Sequence, residues 1–193
     1  MPFDINEYIN SLHNDIKYLN ISSMKITDLP DLSRFESLIK LNCFNNLLTS
    51  IPTLPKNLKE LYCNNNRLKS LPILNENLEH LNCSNNEITV LPILNEKLKE
   101  IFCFNNKLTY LPKLNENLKY INCFSNQIYR LSNDVINLEI FKFYNNPIFK
   151  ILNYDFNKKL KILNNFCYLF YCLKLKKNFI FWLYKSKKNL NIK

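Results

Sequence analysis

The sequence predicts a repeat solenoid, a stack of short coils built one on another. Three observations carry that prediction. A leucine recurs at a strict period of twenty residues, at Leu38, Leu58, Leu78, Leu98, Leu118 and Leu138. Four further columns keep the same period. They are Leu41, Leu61, Leu81, Ile101, Ile121 and Phe141; Cys43, Cys63, Cys83, Cys103, Cys123 and Phe143; Asn46, Asn66, Asn86, Asn106, Asn126 and Asn146; and Leu48, Leu68, Ile88, Leu108, Ile128 and Ile148. Within each unit the stretch x-L-x-C-x alternates apolar and other residues, the period-two pattern of a half-buried strand. Self-similarity at a fixed period is the mark of a repeat architecture, in which each unit buries its apolar face only against its neighbours.

The N-terminal residues 1–15 are expected to form a helical cap, and a degenerate first copy follows over 16–37. Its Ile16, Leu19, Ile21, Ile26, Leu29 and Pro30 match the columns, with Met24 in the asparagine place and two extra residues. Regular units are expected at 38–57, 58–77, 78–97, 98–117, 118–137 and 138–157, giving about seven in all. Each stack of like columns lies about 4.8 Å apart, so leucine meets leucine down the core. Twenty residues leave little chain for a return helix. The Leu-Pro steps at 71–72, 91–92 and 111–112 instead favour an extended, polyproline-like return.

The unit L-x-x-L-x-C-x-x-N-x-L, continued by x-x-L-P in most copies, resembles the leucine-rich repeat, and its L-P-x-L variant is similar to the short repeats of secreted bacterial effectors. The resemblance covers roughly residues 16–157. It implies a horseshoe with one short parallel strand per repeat on the concave side.

Composition narrows the chemistry. Glycine is absent from all 193 residues, which removes the dinucleotide fingerprint and the P-loop. Positions that need positive φ are therefore expected to use asparagine. The seven cysteines include no C-x-x-C pair, and five stand in the inward strand column. There a thiol is a small apolar filler, not a ligand, because zinc needs converging donors in a tetrahedral set. The inward asparagine beside it is expected to satisfy backbone groups of its own and neighbouring coils as a ladder. No metal, cofactor or small-molecule substrate is expected.

Function is then expected on the outward strand positions. Glu60, His80 and Glu100 make a row that reads as a solvated charge row, since an open sheet excludes no water and no nucleophile stands beside it. The aromatics Tyr62, Phe102, Phe104, Tyr120, Phe124 and Tyr144 are the candidate partner-binding residues, on a face expected to be open to solvent. Such side chains are enriched in binding hot spots.

Residues 158–193 form a second region. They carry ten lysines and no acid, while the remaining 16 Lys+Arg balance all 16 Asp+Glu. Leu160, Leu163, Phe166, Leu169, Phe170 and Leu173 recur at helical steps, so a basic helical C-terminal cap is expected. Lys174, Lys176, Lys177, Lys185, Lys187 and Lys188 are candidate anion-binding residues, for a membrane surface or nucleic acid. The aromatic, Lys-flanked ending resembles tails on repeat proteins of giant DNA viruses such as mimiviruses.

The opening stretch has early acids and no long apolar block, and no segment reaches the ~20 apolar residues of a membrane-spanning helix. An intracellular location is expected, the host cytoplasm if the protein is viral. The favoured function is a non-catalytic protein-interaction module binding a protein partner through its concave face. The first alternative is an adaptor whose tail seeks anions. The second resembles the effector ubiquitin ligases, which carry a catalytic domain beyond their repeats, where 36 residues follow here.

Removing residues 78–97 joins Asn77 to Leu98 and keeps every column in register, so that protein should stay folded with somewhat lower stability. Removing ten residues breaks the columns and should abolish folding. Circular dichroism melting of the two deletions checks this, and equal stability would rule out the twenty-residue coil.

Overall fold

The computed structural model describes residues 3–131, 135 and 138–148. After a short helix, α1 (Ile5–Ser11), come seven three-residue strands. They are β1 (Tyr18–Asn20), β2 (Lys40–Asn42), β3 (Glu60–Tyr62), β4 (His80–Asn82), β5 (Glu100–Phe102), β6 (Tyr120–Asn122) and β7 (Ile140–Lys142). They form one parallel sheet in sequence order. The register follows the columns, with Leu41 opposite Leu61, Leu81 opposite Ile101 and Ile121 opposite Phe141. Each coil therefore lies directly on the one before, and the result is a parallel β-solenoid.

The middle residue of β2–β6 is buried and its partners in the same column bury beside it. Leu38, Leu58, Leu78, Leu98 and Leu118 are fully excluded from water, as are all five cysteines from Cys43 to Cys123. Burying a leucine side chain is worth about 1.5–3 kcal/mol, so the repeated columns supply the main driving force for stacking. The returns after β1 to β5 carry no helix.

What fixes the register is the asparagine column. The side chain of Asn86 donates to the carbonyls of Cys83 and, one coil earlier, Cys63, both at 3.1 Å, and its oxygen accepts the Leu68 N–H at 2.9 Å. Asn106 repeats the pattern on Cys83, Cys103 and Ile88, and Asn126 on Cys103, Cys123 and Leu108. Asn46 opens the ladder on Ile21, Cys43, Met24 and Ile26. One amide thus satisfies backbone groups of two coils that water cannot reach, as a buried polar group requires.

A second ladder runs along the return segments, outside the five periodic columns. Asn75 donates to the Pro55 and Leu58 carbonyls, Asn95 to Asn75, and Asn115 to Asn95 and Leu98. The turn after each strand needs a residue with positive φ. Asparagine supplies it at Asn45, Asn65, Asn85, Asn105 and Asn145, with φ between 51° and 56°. Ser125, Ser23 and Lys25 also adopt it, so asparagine is not the sole substitute for glycine.

The N-terminal end is closed by α1, as a helical cap requires. Asp4 accepts the Asn6 and Glu7 N–H groups at its start, the usual means of satisfying a helix's first donors. The two residues added to the first unit have a use: Phe35 is fully buried beside Leu32. Arg34 reaches back to the Ile9 and Leu12 carbonyls and to Asn14, tying the cap to the solenoid. The helical C-terminal cap expected at 158–193 lies outside the described residues.

Asn86→Ala strands the buried Leu68 N–H, at about 1–3 kcal/mol, while the Cys63 and Cys83 carbonyls keep their bonds from Asn66 and Asn106. Asn86→Leu should be no better, since leucine neither donates nor accepts. Denaturant midpoints of both variants test this, with Arg67→Ala, exposed on the same turn, expected to lose clearly less.

Candidate protein-binding face

Strand alternation places every residue flanking a buried middle residue on the opposite, outward face of the sheet. Column alignment then does the rest. Residues that occupy the same place in successive coils stand side by side, so like side chains stack. Phe104 and Phe124 lie parallel with centroids 4.7 Å apart, and Phe124 and Tyr144 continue the stack at 4.8 Å. On the strands themselves Phe102 packs on Tyr120 at 4.8 Å, tilted by 34°. The Lys142 ammonium lies 5.8 Å from the Tyr120 ring.

Five of the six candidate aromatics are half-buried, and only Tyr144 is exposed. The expectation of rings open to solvent is corrected on this point: stacking covers their faces and leaves their edges outward. Tyr62 stands apart from the other five. Its hydroxyl donates to Glu60 at 3.1 Å, and Lys40 both covers its ring and pairs with Glu60 at 2.8 Å. The Lys40 hydrogen bond holds the Glu60 carboxyl below its ordinary range, while burial raises the Tyr62 phenol. The charge row Glu60, His80, Glu100 is likewise engaged, with His80 at 3.3 Å from Glu100. The six anion-binding lysines from Lys174 to Lys188 lie outside the described residues.

Residues not singled out from the sequence complete this face. Ile140 is 48% exposed and continues the strip at β7. Asn122 is 7% exposed, and its side-chain oxygen has no hydrogen-bond partner among the described residues. Its counterparts behave differently, since Asn82 accepts from the Ser84 N–H and hydroxyl, and Asn42 from the Phe44 N–H. Asn122 lies between Phe102 and Lys142 in the sheet register. The interruption of an outward Asn-Tyr-Asn-Phe-Asn-Lys column by rings was visible in sequence; the orphaned oxygen was not.

Other features were weighed against this face. A cleft of about 340 Å³ is lined by Glu79, Lys97, Lys99, Asn117 and Lys119, but Lys99 is held by Glu79 at 2.5 Å and Lys97 by Asn77 at 2.7 Å. On the return side, Ile73 and Ile93 are 88% and 90% exposed, a product of the duplicated segment LPILNE. The cysteine column offers no reactive thiol. Burial pushes Cys43 and Cys83 up to about 12 and raises Cys63, Cys103 and Cys123 as well, which disfavours the thiolate that nucleophiles and metal ligands need.

Comparisons with known proteins agree with this geometry. The family model for leucine rich repeats (2 copies) matches residues 56–92. YopM from Yersinia enterocolitica WA-314 superposes with a TM-score of 0.68 at 33% identity, over 71% of this chain and 30% of that one. A Shigella effector LRR domain does so at 0.60 and 29%, over 74% and 63%. The functional domain of InlJ from Listeria monocytogenes, which includes a cysteine ladder, matches at 0.54 and 22%, over 67% and 32%, and shows the fold alone. No curated protein sequence matches. The chain carries leucine-rich repeats, and it is similar to the repeat regions of bacterial effectors. It spans 30% to 63% of the length of these solved chains. The tail's resemblance to giant-virus proteins gains no support from them.

In protein carrying Cys167→Ser and Cys172→Ser, the five buried thiols should resist a thiol reagent at neutral pH and all react after denaturation. Rapid labelling of the native protein, read by mass, would contradict the raised thiol values.

Proposed function

We propose that the chain is a non-catalytic interaction module that binds a protein partner through the outward face of the sheet, the concave face in the horseshoe that the repeats imply. The observation that carries this reading is the strip of five rings, Phe102, Phe104, Tyr120, Phe124 and Tyr144, gathered on three adjacent coils. Ring stacking is worth about 0.5–1.5 kcal/mol per pair, which supports the rings' arrangement, but their outward edges still meet water. A partner that covers them recovers hydrophobic free energy on a rigid surface that loses little entropy. Leucine-rich repeats generally serve protein interaction, and the effector repeat domains among the structural matches support the same use.

A second reading concerns the tail. Ten lysines without an acid over residues 158–193 favour an anionic neighbour, so the chain would act as an adaptor, with Lys174, Lys176, Lys177, Lys185, Lys187 and Lys188 on a membrane surface or nucleic acid. The free thiols of the described cysteines support an intracellular setting, and no helix among the described residues is long and apolar enough to cross a membrane.

Affinity capture from native cells with the intact chain and with Phe104→Ala/Phe124→Ala tests the first reading. Stacking makes each substitution cost about 0.5–1.5 kcal/mol of stability, leaving the protein folded. A protein captured by the intact chain should be lost with the variant and retained with Lys69→Ala. Equal capture by intact chain and ring variant would overturn the assignment of the face. Glutamine at the six tail lysines should weaken binding to anionic vesicles or RNA, and the adaptor reading fails if the intact chain binds neither at low salt.

A further inference from the structure

Charge is distributed unevenly around the coils. The stretch leading into each strand, residues 56–59, 76–79, 96–99, 116–119 and 136–139, carries five lysines and five glutamates. Most of those lysines are engaged: Lys59 and Lys99 pair with Glu79, Lys119 with Glu139, and Lys97 with Asn77. The outward strand residues balance too, with Lys40 and Lys142 against Glu60 and Glu100. The stretch that follows each asparagine bend differs. Residues 67–70, 87–90, 107–110 and 127–130 carry Arg67, Lys69, Lys107 and Arg130 against one acid, Glu87. Lys107 pairs with Glu87 at 2.7 Å. That bond holds the carboxyl below its ordinary range, and the nearby charges of Lys69 and Arg67 add to the effect. Three cations thus share one carboxylate, which leaves Arg67 and Lys69 exposed without an ion pair among the described residues.

The same side carries rings. Tyr129 is 51% exposed, and the Arg130 guanidinium lies 6.0 Å from its centroid and 5.7 Å from that of Tyr110. The Thr89 N–H donates to Lys69 and the Tyr129 N–H to Thr109, both at 3.4 Å, so Lys69, Thr89, Thr109 and Tyr129 form one row across the coils. Three coil spacings set the unpaired cations and the Tyr–Arg cluster about 14 Å apart, with the two threonines between them. We propose that this lateral side is a second binding surface, distinct from the ring strip and the tail, and that it takes single-stranded nucleic acid. Phosphates pair with Arg67 and Lys69, and a base stacks on Tyr129 and Arg130. Cations beside aromatic and guanidinium planes are what a single strand needs, whatever its sequence. The threonine hydroxyls donate to phosphate oxygens. A duplex is disfavoured, because its bases are already stacked and present no face to Tyr129. A carboxylate is repelled by the negative face of a ring, so an acidic peptide uses the cations and not Tyr129. This surface stands whether or not the ring strip binds protein.

Fluorescence anisotropy with a labelled 12-nucleotide single strand, as RNA and as DNA, tests this. The protein is the full chain with glutamine at the six tail lysines, which removes their charge from the measurement. At least one strand should bind at 50 mM salt, more tightly than the matching duplex and than a peptide of twelve glutamates. Arg67→Gln/Lys69→Gln should weaken binding tenfold or more. It should also flatten the slope of log affinity against log salt by about 1.4, at about 0.7 per phosphate contact. Tyr129→Ala should weaken binding about tenfold and leave that slope unchanged. Lys56→Gln/Lys97→Gln, the same charge loss on the opposite side, should change neither. All five side chains are exposed, and circular dichroism melting checks that each variant is folded. Absence of binding to both strands, or equal losses from the two glutamine pairs, would overturn the site. Tighter binding of the glutamate peptide, indifferent to Tyr129→Ala, would replace nucleic acid by an acidic protein segment. Tighter binding of the duplex would overturn the stacking role and with it the single strand.

Discussion

At each bend after a strand, one asparagine side chain joins its coil to the one before it. Hydrophobic burial drives stacking but is non-directional, and leucine columns would tolerate a slip of the chain that a hydrogen-bonded amide does not. Asn86, Asn106 and Asn126 each complete the bend of their own coil and, in the same step, the bend of the preceding one. Because the amide oxygen accepts an N–H of the preceding coil, as Asn86 does from Leu68, the bend of one coil is complete only when the next has formed. Stability is accordingly a matter of neighbours, as in other repeat arrays.

That constraint shapes the outward face of the sheet as well. A register fixed to the residue puts outward side chains of successive coils side by side, so a phenylalanine repeated at a twenty-residue period becomes a stack without further design. The ladder inside and the ring stack outside are two results of one alignment. The other outward residues follow the same rule with different chemistry: Lys40 pairs with Glu60 and His80 with Glu100, each across one strand spacing. Polar pairs occupy the earlier coils and rings the later ones. The face is therefore divided, although Tyr18 on β1 also stands exposed.

Most of the fold was legible because periodicity is a long-range signal carried by short words. The strands, their register, the cysteine filler and the Asn46-to-Asn146 ladder could all be read from columns. The second ladder at Asn75, Asn95 and Asn115 could not, since Pro55 breaks its column and asparagine is common throughout. Phe35 and Arg34 in the enlarged first unit looked like an irregularity, whereas they fill and tie the cap. At the candidate site the ring positions were legible and their exposure was not, because half-burial by stacking depends on side-chain geometry. Asn122 shows the limit well: its identity matches Asn42 and Asn82, but it alone of the three leaves an oxygen unpaired.

Amide hydrogen exchange at the asparagine ladder measures the sharing of bends between coils most directly. The N–H groups of Leu68, Ile88 and Leu108 each bond to the side chain of the following coil at 2.9 Å. They should exchange only through cooperative opening, as slowly as the strand amides of the same coils. Exchange of these three at the rate of exposed turn amides, with the strands still protected, would contradict it.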